Sequence, residues 1–294
     1  MSVPLSFVRH QFPMLTAIGR TAANALRQKV QPVRNTPPVP GPMMTERLPP
    51  RDPALVEAFL RHIGSRPGTW EGLPPHFFPQ WAFALFSRGL EGLPYPALAM
   101  LNGGCHLVID RPMPMGEAID VAVQLTDISD DGRLAVITEH CVTGTATAPD
   151  ALHIDFHPVA RIPQKKKSGA DQAAKKDKPT IPNGAQEIGR WSLSARAGFE
   201  FALLTGDFNP IHWIPVAARA AGFKSTILHG FGSLTRTIEA LVEGDGSRLG
   251  EIDVRFTKPL VLPAEVGAYV DGDQVFVGER PGAEPYMTGR FGLR

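Results

Sequence analysis

Cysteine is nearly absent. Cys105 and Cys141 are the only two in 294 residues, too few for a disulfide framework, and neither belongs to a CxxC pair. A reducing, cytoplasm-like compartment is therefore expected. An excess of charge of either sign is lacking as well. Thirty Lys and Arg face 29 Asp and Glu, a formal net charge of +1, so no global field favours nucleic acid or an anionic membrane. No run of 18 apolar residues occurs, which excludes a transmembrane helix by hydropathy, and no secretory leader with a cleavage site is visible. HExxH, Walker-type loops and a GxGxxG following a strand are all missing. What is present is a chain with 43% hydrophobic residues, enough to bury a sizeable core and long enough for two ordinary domains.

Residues 1–49 read as an N-terminal extension. It carries Arg9, Arg20, Arg27, Lys29 and Arg34 with no acid before Glu46, and Leu15, Ile18, Ala22, Leu26 and Val30 recur at helical spacing. Two readings fit this helix: a transit-type or membrane-surface segment, or a terminal helix packed on the body or a partner. Eight prolines within 31–53 mark an extended connector. Residues 163–187 read as a Lys-rich linker, with six Lys and two Asp between Pro163 and Pro182. No aromatic residue interleaves these lysines, which argues against a nucleic-acid site. The linker separates a first body, 50–162, from a second, 188–294.

The two bodies look like copies of one unit. HLVIDRPMPMGE (106–117) parallels DVRFTKPLVLPAE (253–265), each an alternating run broken at a basic residue and proline. HFFPQWAFALFSRGL (76–90) stands where HGFGSLTRTIEAL (229–241) stands later, and VEAFLRHIGSRP (56–67) loosely parallels FEFALLTGDFNP (199–210). Candidate strands are 105–109, 118–128, 133–145 and 152–162 in the first copy. In the second they are 250–256, 265–271, 274–279 and 285–292. Asp130-Asp131-Gly132 and Asp271-Gly272-Asp273 are hairpin signals. Helices followed by antiparallel hairpins give an α+β class, one helix against one curved sheet, twice.

Chemistry concentrates between residues 206 and 230. Asp207 and His212 flank Asn209-Pro210; proline biases residue 209 away from helix, so a turn can aim both side chains at one point. A carboxylate beside an imidazole can hold and activate one water. The same spacing also fits an Asx-turn beside a surface histidine. Gly230 precedes Phe231, Leu234, Ile238 and Leu241 at helical spacing, so its N–H would be an unpaired donor at a helix start, suited to a developing oxyanion; close packing alone would also explain this glycine. His229 is expected to cap or pack at that start, and Asn209 to support the turn. His153 and His157 alternate along a strand and suggest no metal site.

The run FALLTGDFNPIHWIPVAARAAGFKSTILHG (201–230) resembles the signature of the MaoC-like (R)-specific enoyl-thioester hydratases and dehydratases. The paired halves resemble their double hotdog arrangement. The resemblance implies that Asp207 and His212 are the catalytic pair, that Gly230 N–H is the oxyanion donor, and that Asn209, Trp213 and His229 lie against substrate. Trp81 and Phe83 are candidate acyl contacts, with plain core packing as the other reading. The first copy has Ile63-Gly64-Ser65-Arg66-Pro67 where a dyad would fall, so it reads as degenerate, leaving one active site per chain. The activity implied is reversible hydration of trans-2-enoyl thioesters to (3R)-3-hydroxyacyl thioesters, the thioester carried by coenzyme A or acyl carrier protein. No metal or redox cofactor is implied. Trp213 and Thr226 depart from the family pattern, which bears on substrate range. A hotdog acyl-thioesterase and a non-catalytic acyl-thioester-binding protein are the alternatives. Two hotdogs in one chain already form a pseudo-dimer, so monomer and homodimer both fit.

Overall fold

The computed structural model describes residues 3–31, 33, 35–95, 100–162 and 178–294. The first half contributes strands β1 (Met44–Leu48), β2 (Leu101–Ile109), β3 (Ile119–Asp130), β4 (Leu134–Gly144) and β5 (Leu152–Arg161). The second contributes β6 (Gln186–Leu193), β7 (Leu249–Phe256), β8 (Ala264–Asp271), β9 (Gln274–Gly278) and β10 (Met287–Leu293). They form one antiparallel sheet in the order β1-β3-β4-β5-β2-β7-β10-β9-β8-β6. Counted inward from either edge, the order is the same: first, third, fourth, fifth and second strand of that half. The copies join where β2 pairs with β7, Cys105 opposite Val254 and Leu107 opposite Ile252. Each half-sheet packs on one central helix, α3 (Pro79–Gly89) in the first half and α6 (Gly230–Val242) in the second. This is a double hotdog.

Local sequence explains these elements. Along β4 the buried positions alternate as Ala135, Ile137, Glu139, Cys141 and Thr143, the period-two pattern of a strand with one face inward. α6 buries Phe231, Leu234, Ile238 and Leu241, the set spaced by three and four in the sequence; burying each such side chain contributes about 1.5–3 kcal/mol. In the β3–β4 turn, Asp131 Oδ1 accepts N–H bonds from Arg133 and Leu134 at 2.8 and 2.7 Å. The core is continuous across the halves: Phe78 meets Phe231 edge-on at 5.1 Å, and Phe59 lies 6.5 Å from Phe201.

Two strands had no counterpart in the sequence reading. β1 lies within the expected extension and pairs with β3; β6 begins inside the expected linker and pairs with β8. Both are edge strands; β1 alternates in exposure but carries Glu46 at an inward position, and β6 does not alternate cleanly, so neither has the apolar alternation that marks an interior strand. Residues 163–177 of the linker lie outside the described residues. Ile181 is buried and donates its N–H to Ala283 O at 2.9 Å.

The N-terminal segment is docked. A 3₁₀ turn (Leu5–Gln11) leads into α1 (Phe12–Val30). Gln11 is 1% exposed, and its amide donates to Leu203 O at 3.0 Å and Leu204 O at 3.2 Å. Ala17 is buried and Met14 and Ile18 are partly buried against the core, whereas Phe12 and Leu15 are exposed. Of the expected stripe, Ile18 packs inward and Leu15 does not; the side chains of Ala22, Leu26 and Val30 lie outside those described. No helix among the described residues is long and apolar enough to cross a membrane.

Candidate active site

α4 (Ala197–Thr205) stops at Gly206, whose φ of 87° is left-handed and whose N–H closes on Ala202 O at 2.8 Å. Glycine tolerates that conformation without Cβ strain. The chain then turns outward through Asp207. Asn209, extended ahead of Pro210, caps the 3₁₀ turn Pro210–His212 by accepting the Ile211 N–H at 3.4 Å, while its own N–H reaches Asp207 Oδ1 at 3.3 Å. Asn209 therefore shapes the loop.

His212 is buried, with Nδ1 2.8 Å from Ile227 O. A carbonyl only accepts, so Nδ1 carries the hydrogen and Nε2 remains an acceptor. Ile227 is itself pinned by its N–H to Ile211 O at 3.2 Å and by a bridge to Val261. His229, at the N-cap of α6, stacks on His212 with ring centroids 3.6 Å apart, and its Nε2 donates to the Asp207 carbonyl at 2.8 Å. One donor or ligand atom from each of Asp207, His212 and His229 lies within 4.8 Å of the others. By donor type these three could hold a cation. One nitrogen of each ring, however, is committed as a donor to a backbone carbonyl, and the acceptors left are His212 Nε2 and His229 Nδ1. The geometry suits one water held between the Asp207 carboxylate and His212 Nε2.

Burial sets the electrostatics. It raises the Asp207 pKa above the ordinary 3.8, opposed by His212; it lowers the His212 pKa below the ordinary 6.5, opposed by Asp207. His229 is pushed well down by burial, then by His212. Both rings are therefore neutral near pH 7, and Asp207 is a stronger base than an exposed carboxylate. If Asp207 acts ionised and His212 neutral, kcat/KM should fall on acidification, with an inflection above the ordinary carboxylate value of 3.8 because burial raises Asp207, and the inflection belongs to the pair. An acid-limb inflection at or below 3.8 would contradict this assignment.

Gly230 is the first residue of α6. The N–H groups of a first helical turn have no intrahelical acceptor, and the helix dipole is positive there. The Phe256 ring lies 2.6 Å from where a Gly230 Cβ would be, so a side chain at this position would press on that ring.

The structure brings Asp207, His212, His229 and Gly230 together. Phe83 is near them through Phe231, at 5.4 Å between ring centroids. Trp81 is buried in the first half, edge-on to Phe77, with Nε1 3.4 Å from Thr143 Oγ1. Trp213 is partly exposed and braces its own loop, donating Nε1–H to Phe208 O at 3.1 Å and leaning on Phe199. The clamp by His229 on the Asp207 backbone was not legible in the sequence, where a histidine before a helix signals only a cap.

In the first copy Gly64 ends α2 (Pro53–Ile63) in the same left-handed conformation, and Ser65 follows it as Asp207 follows Gly206. His76 precedes α3 as His229 precedes α6. It is buried against Glu239 at 3.1 Å, and Trp70 Nε1 donates to the same carboxylate at 2.8 Å.

Residues 190–280 match the family model described as MaoC like domain. This chain carries a MaoC-like domain. A 3-hydroxyacyl-thioester dehydratase X of Mycobacterium tuberculosis is 28% identical over 264 residues, 86% of this chain and 88% of that protein. A probable enoyl-CoA hydratase 2 of Dictyostelium discoideum is 27% identical over 64% of this chain and 66% of its own length. Among solved structures, HtdX of M. tuberculosis superposes with a TM-score of 0.67 at 23% identity, covering 86% of this chain and all of that one. An M. tuberculosis protein described as having a double hotdog fold gives 0.54 at 12%, over 87% and 96%. At these identities the structural likeness speaks for the fold, and the MaoC-like match places residues 207–230 inside the family domain.

Proposed function

We propose that this chain catalyses reversible hydration of trans-2-enoyl thioesters to (3R)-3-hydroxyacyl thioesters, as a hydro-lyase with one active site. The observation that carries the reading is the partly buried Asp207 beside the buried His212 at the α6 start: two acceptors for one water, next to a donor for an oxyanion. Asp207 takes a proton from the water as its oxygen bonds to C3. The C2=C3 electron pair shifts to the thioester carbonyl, and the enolate oxygen receives the Gly230 N–H. The proton returns to C2 from the pair, so both side chains end as they began. His212 aligns the water through Nε2, and His229 holds Asp207 by its backbone. The pantetheine carrier belongs to the substrate. Relatives named enoyl-CoA hydratase support coenzyme A as that carrier.

The test follows enone absorbance and free thiol together with crotonyl-CoA. Loss of absorbance without thiol release is expected. Thiol release with the double bond intact would assign a thioesterase, and binding with neither change an acyl-thioester-binding protein.

A further inference from the structure

The inward face of β4 contains a carboxyl group that the hydration chemistry does not use. Glu139 is fully buried, and neither carboxylate oxygen has a hydrogen-bond partner. Burial pushes its pKa well above the ordinary carboxylate value, so it is a neutral acid, able to donate one hydrogen bond and accept another. A leucine of similar volume there would remove the desolvation penalty, so the carboxyl is costly to keep.

Its position connects it to the dyad. Phe231 directly follows Gly230, and its ring lies 5.4 Å from Phe83 and 5.9 Å from Phe156. Phe156 continues to Phe86 at 4.9 Å, and in the β4–β5 pairing it sits directly opposite Glu139. The Glu139 carboxyl abuts the last turn of α3, with Oε1 2.0 Å from where a Gly89 Cβ would stand. A run of aromatic rings thus leads from the oxyanion donor, between α3 and the first-half sheet, to an unpartnered acid. Flat rings suit an alkyl chain; the acid at the end does not.

We propose that Glu139 forms the distal end of the acyl-chain site and selects enoyl thioesters whose chain bears a hydroxyl at its far end. The inference rests on the hydration reading above. A terminal hydroxyl satisfies both halves of the acid, donating to one oxygen and accepting from the other. An alkyl end leaves the acid unpaired.

The test uses the full chain with coenzyme A thioesters of trans-2-enoic acids of increasing length, each plain and with a terminal hydroxyl. In the wild type, kcat/KM for the hydroxylated thioester should exceed that of the plain one by roughly tenfold at the length that reaches Glu139. Glu139→Gln, which can still donate and accept, should keep the preference; Glu139→Leu should abolish or invert it while raising the melting temperature. A wild-type ratio near one at every length would overturn the proposal without needing any variant, as would a Glu139→Leu enzyme that retains the preference. Failure of the wild type to hydrate crotonyl-CoA would instead overturn the hydration reading.

Discussion

Replacing Asp207 with asparagine should lower kcat for enoyl-thioester hydration by roughly 10²–10⁴ while leaving the fold intact. Asparagine has nearly the same shape, and its carbonyl oxygen can still accept the Asn209 N–H that Asp207 Oδ1 accepts at 3.3 Å. The His229 clamp is also unaffected, because it grips the backbone carbonyl of residue 207. What disappears is the capacity to take a proton. His212→Ala should cost a similar factor through loss of the second acceptor. In Asp207→Asn the carboxylate no longer supports the His212 proton, so the remaining acid limb should move to lower pH. Steady-state rates from enone absorbance across pH report both effects. An Asp207→Asn enzyme retaining most of its rate would mean that the base is elsewhere.

Gly198→Ala should be nearly as damaging without touching a reacting group. An added β-carbon would stand 2.1 Å from His212 O and 3.0 Å from its carbonyl carbon. Both are backbone atoms of the 3₁₀ turn that presents the imidazole, so relief requires moving the turn or α4. Overpacking of this sort costs about 1–3 kcal/mol, read as a drop of several degrees in melting temperature. Displacing a catalytic group by about 1 Å can cost on the order of 10² in rate. Gly184→Ala is the control, since nothing lies within 4 Å of the added carbon; it should leave rate and melting temperature near wild type. Normal activity in Gly198→Ala would mean that the His212 turn is free to shift, contrary to the packing described.

What the sequence made legible follows from the kind of signal each feature leaves. Eight strands and both central helices announce themselves by periodicity, and Asn209-Pro210 marks a turn because proline restricts its neighbour. β1 and β6 leave little trace, because an edge strand needs neither strict alternation nor a buried face. Asp207 and His212 are close in the chain and could be paired on spacing. His229 joins them only through tertiary contact from 17 positions further on. Gln11 and Glu139 are harder still: a polar residue within an apolar pattern reads as a surface position until packing encloses it. Trp81 and Phe83 are ambiguous in another way, since bulk and aromaticity suit a ligand pocket and a core equally well.

The β2–β7 seam also changes how the two copies are held together. Two separate hotdog chains meeting along such a seam would dissociate on dilution, and any site depending on both would fade with protein concentration. Here both strands belong to one chain, so the second copy is present at an effective concentration set by the tether rather than by the cell. Synthesis of one polypeptide supplies both copies in a fixed one-to-one ratio. Each copy can then accumulate changes that a symmetric pair would have to share, as Ser65 and Asp207 already illustrate.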